Sequence, residues 1–168
     1  KALHDVYYSM GFLVLLVSGL LLIFLGLGIL ESPYVLTVAS LIPLGISMGI
    51  AEQYYPAWKK YFKWFATIGF LAIAVSSFAN IELVRKISVP LFHGVAGLVI
   101  FLAPFFAKKA AKGFWLVGVG GALIGIGVLL FGSFDELSVR VLMTTLTVTV
   151  TSILGLANGA YYDSGRGR

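Results

Sequence analysis

The sequence predicts an all-α protein embedded in a membrane, with six transmembrane helices. Its 168 residues are 60% hydrophobic and 11% charged, and the mean hydropathy is +1.01. A soluble domain typically carries about 25% charged residues, which cover its surface. Here the charges stand in short clusters between apolar runs, and a run of about 20 residues is enough to cross a bilayer. We therefore expect one transmembrane domain over residues 1–168.

Six apolar segments are the predicted spans. A β-barrel is excluded, because its strands are about ten residues long and alternate apolar with polar side chains. The first run shows no charged leader followed by a short apolar core and a cleavage site, so we expect a true span there. Turn and charge signals separate the segments. They run approximately over 9–30, 34–51, 64–80, 87–107, 114–132 and 138–160.

The basic residues predict a multi-pass protein of the cell membrane with both termini in the cytoplasm. Nine of the twelve lysines and arginines fall at the termini or in the loops after spans two and four, whereas Arg85, Lys86 and Arg140 lie on the opposite side. In short loops such an excess marks the cytoplasmic side. The net charge of +5 does not indicate nucleic-acid binding, because these residues stand at span ends with no extramembrane domain to display them.

An aromatic and basic stretch after span two is predicted to form a belt at the membrane interface. Aromatic rings favour the headgroup level, and lysines reach toward lipid phosphates. The alternative is a docking segment for an anionic lipid or a partner protein. The predicted belt consists of Tyr54, Tyr55, Trp58, Lys59, Lys60, Lys63 and Trp64.

The six spans are predicted to pair into three hairpins that repeat one unit, over about 9–51, 64–107 and 114–160. Self-similarity at a fixed period, here about 50 residues, indicates a repeated supersecondary unit. The alternative is that short outer loops produce this spacing by themselves. The outer turns carry Glu31, Glu82 and the pair Asp135-Glu136, and the hairpins begin near Gly11-Phe12, Trp64-Phe65 and Gly113-Phe114.

Glycine and apolar spacing in the first hairpin carries a family resemblance. The run from Gly19 to Gly28, the turn with Pro33, and the later pair Gly45 and Gly49 resemble the repeat unit of HdeD-like membrane proteins, as does the segment 112–116. The resemblance implies six spans in three hairpins and an association with acid-stress resistance, with no catalytic residues to carry over. The second hairpin departs from the pattern, because its turn has no proline or glycine.

His93 is an ionisable residue predicted to lie inside a span, where a titratable group is a functional candidate. It stands six residues into span four, about 9 Å below the outer end at about 1.5 Å per residue. It could act as a proton-sensing group, as a haem or metal ligand, or as a neutral histidine hydrogen-bonded between helices to Ser88, Asn80 or a carbonyl. His4 lies at the cytoplasmic edge, so Met143 is the intrachain residue at comparable depth for haem ligation.

Small and hydroxyl-bearing residues predict close helix packing or a polar pathway. Gly45 with Gly49 and Gly121 with Gly125 form GxxxG patterns, which let backbones approach within the chain or in an oligomer. In span six, threonines recur near helical spacing, and they either support packing or line a pathway. The possible pathway comprises His93, Thr144, Thr147, Thr151 and Asn158.

The sequence lacks a recognisable catalytic constellation. It contains no cysteine, and no pair of carboxylates within a span could perform acid–base chemistry. We predict a non-catalytic structural or accessory subunit that associates with other membrane chains or with itself, or a stress-related HdeD-like protein without a cofactor. The alternatives are a proton or small-solute transporter or channel, and a haem-binding electron-transfer subunit. Scarce asparagine and glutamine are consistent with a thermophilic source.

Overall fold

The computed structural model describes residues 2–26, 28–29, 32–108 and 110–131, and these contain helices and no strand. Four apolar segments among them are long enough to cross a membrane: α1, α2 with α3, α4, and α5. α6 has 17 residues, and the predicted sixth span at 138–160 lies outside the described residues. The helices are α1 (Leu3–Leu25), α2 (Pro33–Ala39), α3 (Leu41–Tyr54), α4 (Lys59–Phe78), α5 (Glu82–Phe106) and α6 (Trp115–Phe131).

The helices α1, α4 and α5 begin several residues before the predicted spans. Charged residues that the sequence assigned to loops form the first turns of these helices. α5 begins at Glu82 instead of 87, and its carboxylate lies at the helix end that favours negative charge. Glu82 Oε1 also lies 2.8 Å from Lys86 Nζ one turn later. His93 is consequently the twelfth of 25 residues in α5, roughly 16 Å from its start rather than near its outer end.

The second predicted span is divided at Ser40 into α2 and α3. Pro43 has no backbone N–H, so the carbonyl of Ala39 loses its partner in a continuous helix. The Ser40 hydroxyl donates to the carbonyl oxygen of Thr37 at 2.7 Å, and the Leu44 N–H reaches the Ser40 carbonyl at 3.4 Å. The apolar segment therefore folds as two consecutive helices.

The helices form an antiparallel bundle with α3, α4 and α5 at its centre. These three contact one another, while α2 packs on α4, α1 along α3, and α6 along α5. Buried apolar side chains form one cluster around Ile73 and Phe92 and a second around Ile50 and Val99. Gly11 is the one residue of α1 that is buried. The long apolar side chains of α1 therefore face outward, where lipid can solvate them.

Asn80 closes the turn between α4 and α5 in place of a glycine. Its φ of 52° lies in the left-handed region, which asparagine tolerates better than most residues. The Ile81 N–H donates to the Ser76 carbonyl at 2.9 Å and so satisfies a group that the end of α4 leaves open. The second hairpin thus turns tightly without the proline or glycine of the first.

Candidate functional site

Most residues of the predicted belt meet at one end of the bundle, called here the basic end, where α1, α4 and α6 begin and α3 and α5 end. The Tyr8 hydroxyl donates to Gln53 Oε1 at 3.0 Å and joins the start of α1 to the end of α3. The Tyr55 hydroxyl donates to the carbonyl of Ala103 at 2.6 Å and joins the α3–α4 turn to α5. These two hydrogen bonds therefore tie α1 to α3, and the α3–α4 turn to α5, at the basic end.

Tyr55 caps the end of α5. The carbonyl of Ala103 is among the last four of that helix, which have no partner inside it. Burial raises the pKa of the Tyr55 phenol, so the hydroxyl keeps the proton that it donates. Its ring centroid also lies 4.9 Å from that of Trp58. The turn between α3 and α4 is held in place by this hydrogen bond and by ring packing.

A groove of about 260 Å³ opens beside the first turns of α4. Lys59 Nζ lies 2.7 Å from Glu52 Oε1, and this carboxylate side chain is only 16% exposed. Lys63 Nζ stands 5.9 Å from the centre of the Tyr7 ring. One carboxylate faces three ammonium groups, so the groove keeps an excess of positive charge. It is lined by Leu3, Glu52, Lys59, Lys60, Lys63 and Trp64.

His93 lies halfway along α5, and its buried Nδ1 has no hydrogen-bond partner among the described residues. Of the partners expected from the sequence, a carbonyl is offered by the Val89 backbone, one turn earlier on α5. Asn80 is exposed at the turn, and Ser88 has a buried hydroxyl that is itself unpartnered within the described part. The hydroxyls of Thr37 and Ser77 share this state. Such a group costs about 1–3 kcal/mol unless water or another helix satisfies it.

The haem and pathway predictions fall largely on residues beyond those described. Within the described ranges, no group of three or more histidine, cysteine or acidic residues could hold a metal ion. The haem pair of His93 with Met143 stays a prediction, and a purified protein without a Soret band would contradict it. The other pathway residues outside the described part are Thr144, Thr147, Thr151 and Asn158.

The two GxxxG patterns occupy different surroundings. A Cβ added to Gly45 would lie 3.1 Å from the Tyr7 carbonyl oxygen, and one on Gly49 would overlap the Tyr8 ring. This pair therefore lets α1 approach α3 within the chain. Gly121 faces Ile100 on α5, whose Cγ2 would lie 3.0 Å from an added Cβ, whereas Gly125 has no atom within 4 Å of that position.

Two further glycines form crossings that the sequence patterns did not reveal. The Phe92 ring of α5 rests against Gly69 of α4, so that an added Cβ would overlap it. Gly118 of α6 lies under α5, where the Phe101 carbonyl oxygen would be 2.6 Å from an added Cβ. Neither glycine belongs to a GxxxG pattern. Each of these glycines faces an aromatic ring of the neighbouring helix. This pairing marks the crossing, and it is recognisable only when the neighbouring helices are known.

The helices define the class of protein. The described residues form an all-α bundle with the long apolar helices of a membrane protein. No family model, no curated protein and no solved structure matches the chain. The features that bear on its function are the helix surfaces, the partly buried His93 and the groove at the basic end.

Proposed function

We propose that this chain is a non-catalytic integral membrane protein that acts as a structural or accessory subunit of a membrane assembly. Its partners are other membrane chains or further copies of itself. The resemblance to HdeD-like proteins supports the same architecture and extends the proposal to a stress-related role. The observation that carries the proposal is a division of the glycines into two groups, those inside helix crossings and those that face open space.

Among the described residues, four helical glycines have no heavy atom within 4 Å of an added Cβ: Gly19 in α1, Gly97 in α5, and Gly120 with Gly125 in α6. Glycine inside a helix costs about 0.5–1 kcal/mol relative to alanine. In membranes, small residues are enriched where helices approach closely. The open glycines support docking surfaces for helices beyond the described bundle, namely the predicted sixth span and the helices of partner subunits.

Six spans in three hairpins, with both termini in the cytoplasm, form part of the proposal. The helices alternate in direction, so the α3–α4 and α5–α6 loops lie at the same end. Lysines concentrate there, including Lys59, Lys60, Lys63, Lys108 and Lys112. The excess of basic residues supports a cytoplasmic position for this end in the cell membrane.

The assembly is tested by the mass of the particle purified in a mild detergent. We expect a complex heavier than a single chain of 18.1 kDa, with fixed stoichiometry. Gly120→Leu should dissociate it while the described helices stay folded, because no described atom lies within 4 Å of an added Cβ. Ile126→Leu, at an exposed position of the same helix, serves as the control. A wild-type protein that is a lone monomer in every mild detergent contradicts the proposal.

A proton or small-solute pathway is the second candidate, and the unpartnered Nδ1 of His93 favours it. Gly97 lies one turn further along the same face of α5 and leaves open space beside the histidine. We expect His93→Ala to abolish flux into liposomes while the helix content is preserved, and His4→Ala to leave flux unchanged. Wild-type flux no greater than that of empty liposomes would eliminate this candidate.

A further inference from the structure

We infer that the groove at the basic end binds the phosphate headgroup of an anionic phospholipid, with the acyl chains lying along one face of α4. The groove holds three lysines of α4 together with Glu52, Leu3 and Trp64. The inference concerns a ligand site and does not depend on the assembly proposed above. It rests on the charge balance of the groove, on its place at a helix start and on the surface that continues from it.

The charge balance favours an anion. Glu52 is mostly buried and pairs with Lys59, so its carboxylate is already neutralised inside the groove. Lys60 and Lys63 are exposed and supply the remaining positive charge. All three lysines stand in the first two turns of α4, and its first turn contains no acidic residue. The dipole of α4 adds positive potential at the start of that helix. A bound phosphate is therefore stabilised both by the lysines and by the α4 dipole.

The surface beyond the groove identifies the anion as a lipid rather than a soluble phosphate. Trp64, Ile68, Leu71 and Val75 follow one another at spacings of four, three and four residues along α4, and each is more than half exposed. Residues at this spacing share one helix face. The stripe begins at the groove and runs away from the basic end, which is the path of an acyl chain whose headgroup lies against the lysines. Tryptophan favours the headgroup level where the two meet.

Native mass spectrometry of the full chain in detergent measures the site directly. We expect phosphatidylglycerol to bind with defined stoichiometry and more tightly than phosphatidylcholine. The double variant Lys60→Gln with Lys63→Gln should weaken phosphatidylglycerol binding roughly 30-fold, which corresponds to about 1 kcal/mol for each lysine. The matched control is Lys108→Gln with Lys112→Gln, which removes two exposed charges at the same end and should change binding less than about twofold. Equal losses in both double variants, or no loss in either, overturn the inference.

Two further measurements distinguish a bound phospholipid from a bound phosphate ion and from a purely structural role of the groove. Glu52→Gln removes the carboxylate from the groove and should strengthen phosphatidylglycerol binding, the opposite direction to the lysine variants. Inorganic phosphate at the lipid concentration should not displace the lipid. Displacement by phosphate, or weaker binding in Glu52→Gln with an unchanged thermal unfolding curve, would rule out the site as described. Thermal unfolding of each variant shows that the comparison is between folded proteins.

Discussion

α1 and α4 both have the length and composition of membrane spans, yet they differ in how much of each is buried. α1 is the most apolar of the four long segments and buries a single residue, Gly11. α4 is the least apolar of them and buries six residues, three of which are serine or glycine. In water the more apolar helix would be the more buried one. In a bilayer apolar side chains gain little by leaving lipid, so close approach of small residues decides which helices pack.

The two contacts also use glycine differently. At the α1–α3 crossing, glycines from both helices meet, and an added Cβ at Gly45 would lie 3.3 Å from the Gly11 Cα. At the α4–α5 crossing, Gly69 instead receives the ring of Phe92. That ring continues a row of aromatic contacts from the basic end, with centroids 5.8, 5.7 and 4.8 Å apart along Trp58, Phe62, Phe65 and Phe92. The first contact brings the backbones of α1 and α3 together. The second seats the Phe92 ring in the notch, the space left by the missing side chain of Gly69.

The largest effect is expected at the notch. Gly69→Val should lower the free energy of unfolding by about 3 kcal/mol, because the new side chain overlaps the Phe92 ring at the centre of the bundle. Unfolding in mixed micelles, followed by tryptophan fluorescence, measures the change. Leu16→Val, at an exposed position of α1, is the control. Adding Phe92→Leu should restore part of the loss. Equal losses in Gly69→Val and Leu16→Val would show that Gly69 is not a packing site.

A smaller effect is expected at the backbone contact. Gly45→Ala should cost about 2 kcal/mol, because the atoms facing the new methyl group include backbone of α1 that cannot rotate away. The loss should be confined mainly to docking of α1, since the backbone of α1 packs along α3 and, less extensively, against α2. Cysteines introduced on the facing surfaces of α1 and α3 report this docking by their accessibility, as the chain has none of its own. An unchanged accessibility would contradict the assignment.

The smallest effect is expected at the Tyr55 hydroxyl. Tyr55→Phe should lower the free energy of unfolding by about 1 kcal/mol near neutral pH, because a carbonyl at the end of α5 loses its donor. Tyr61→Phe, at a ring that is 74% exposed, is the control. The folded pKa of Tyr55 is raised, so its contribution is complete below about pH 10 and declines as the pH rises further. If the loss of stability in Tyr55→Phe instead grew above that pH, the protonated Tyr55 hydroxyl would not be the stabilising group.

The sequence predicted the helical class and the apolar segments, because a helix that crosses a bilayer needs a run of about 20 apolar residues. The helices α4 and α5 begin before the predicted spans, since charged first turns such as the one at Glu82 remain helical. The sequence identified Gly45 and Gly49 as packing residues without their partner, because GxxxG spacing describes one helix alone. The roles of Gly69 and Gly118 depend on aromatic rings of another helix. No local pattern encodes that pairing.

The break at Ser40 divides one apolar segment, Pro33–Tyr54, into two helices. A seven-residue helix such as α2 reaches about 10 Å and cannot cross a bilayer by itself. To cross a bilayer, the segment Pro33–Tyr54 would therefore have to partition as one apolar stretch of 22 residues. In the bundle both helices contact α1 and α4, and only α3 also contacts α5. Replacing Pro43 would consequently alter the final architecture while leaving insertion intact.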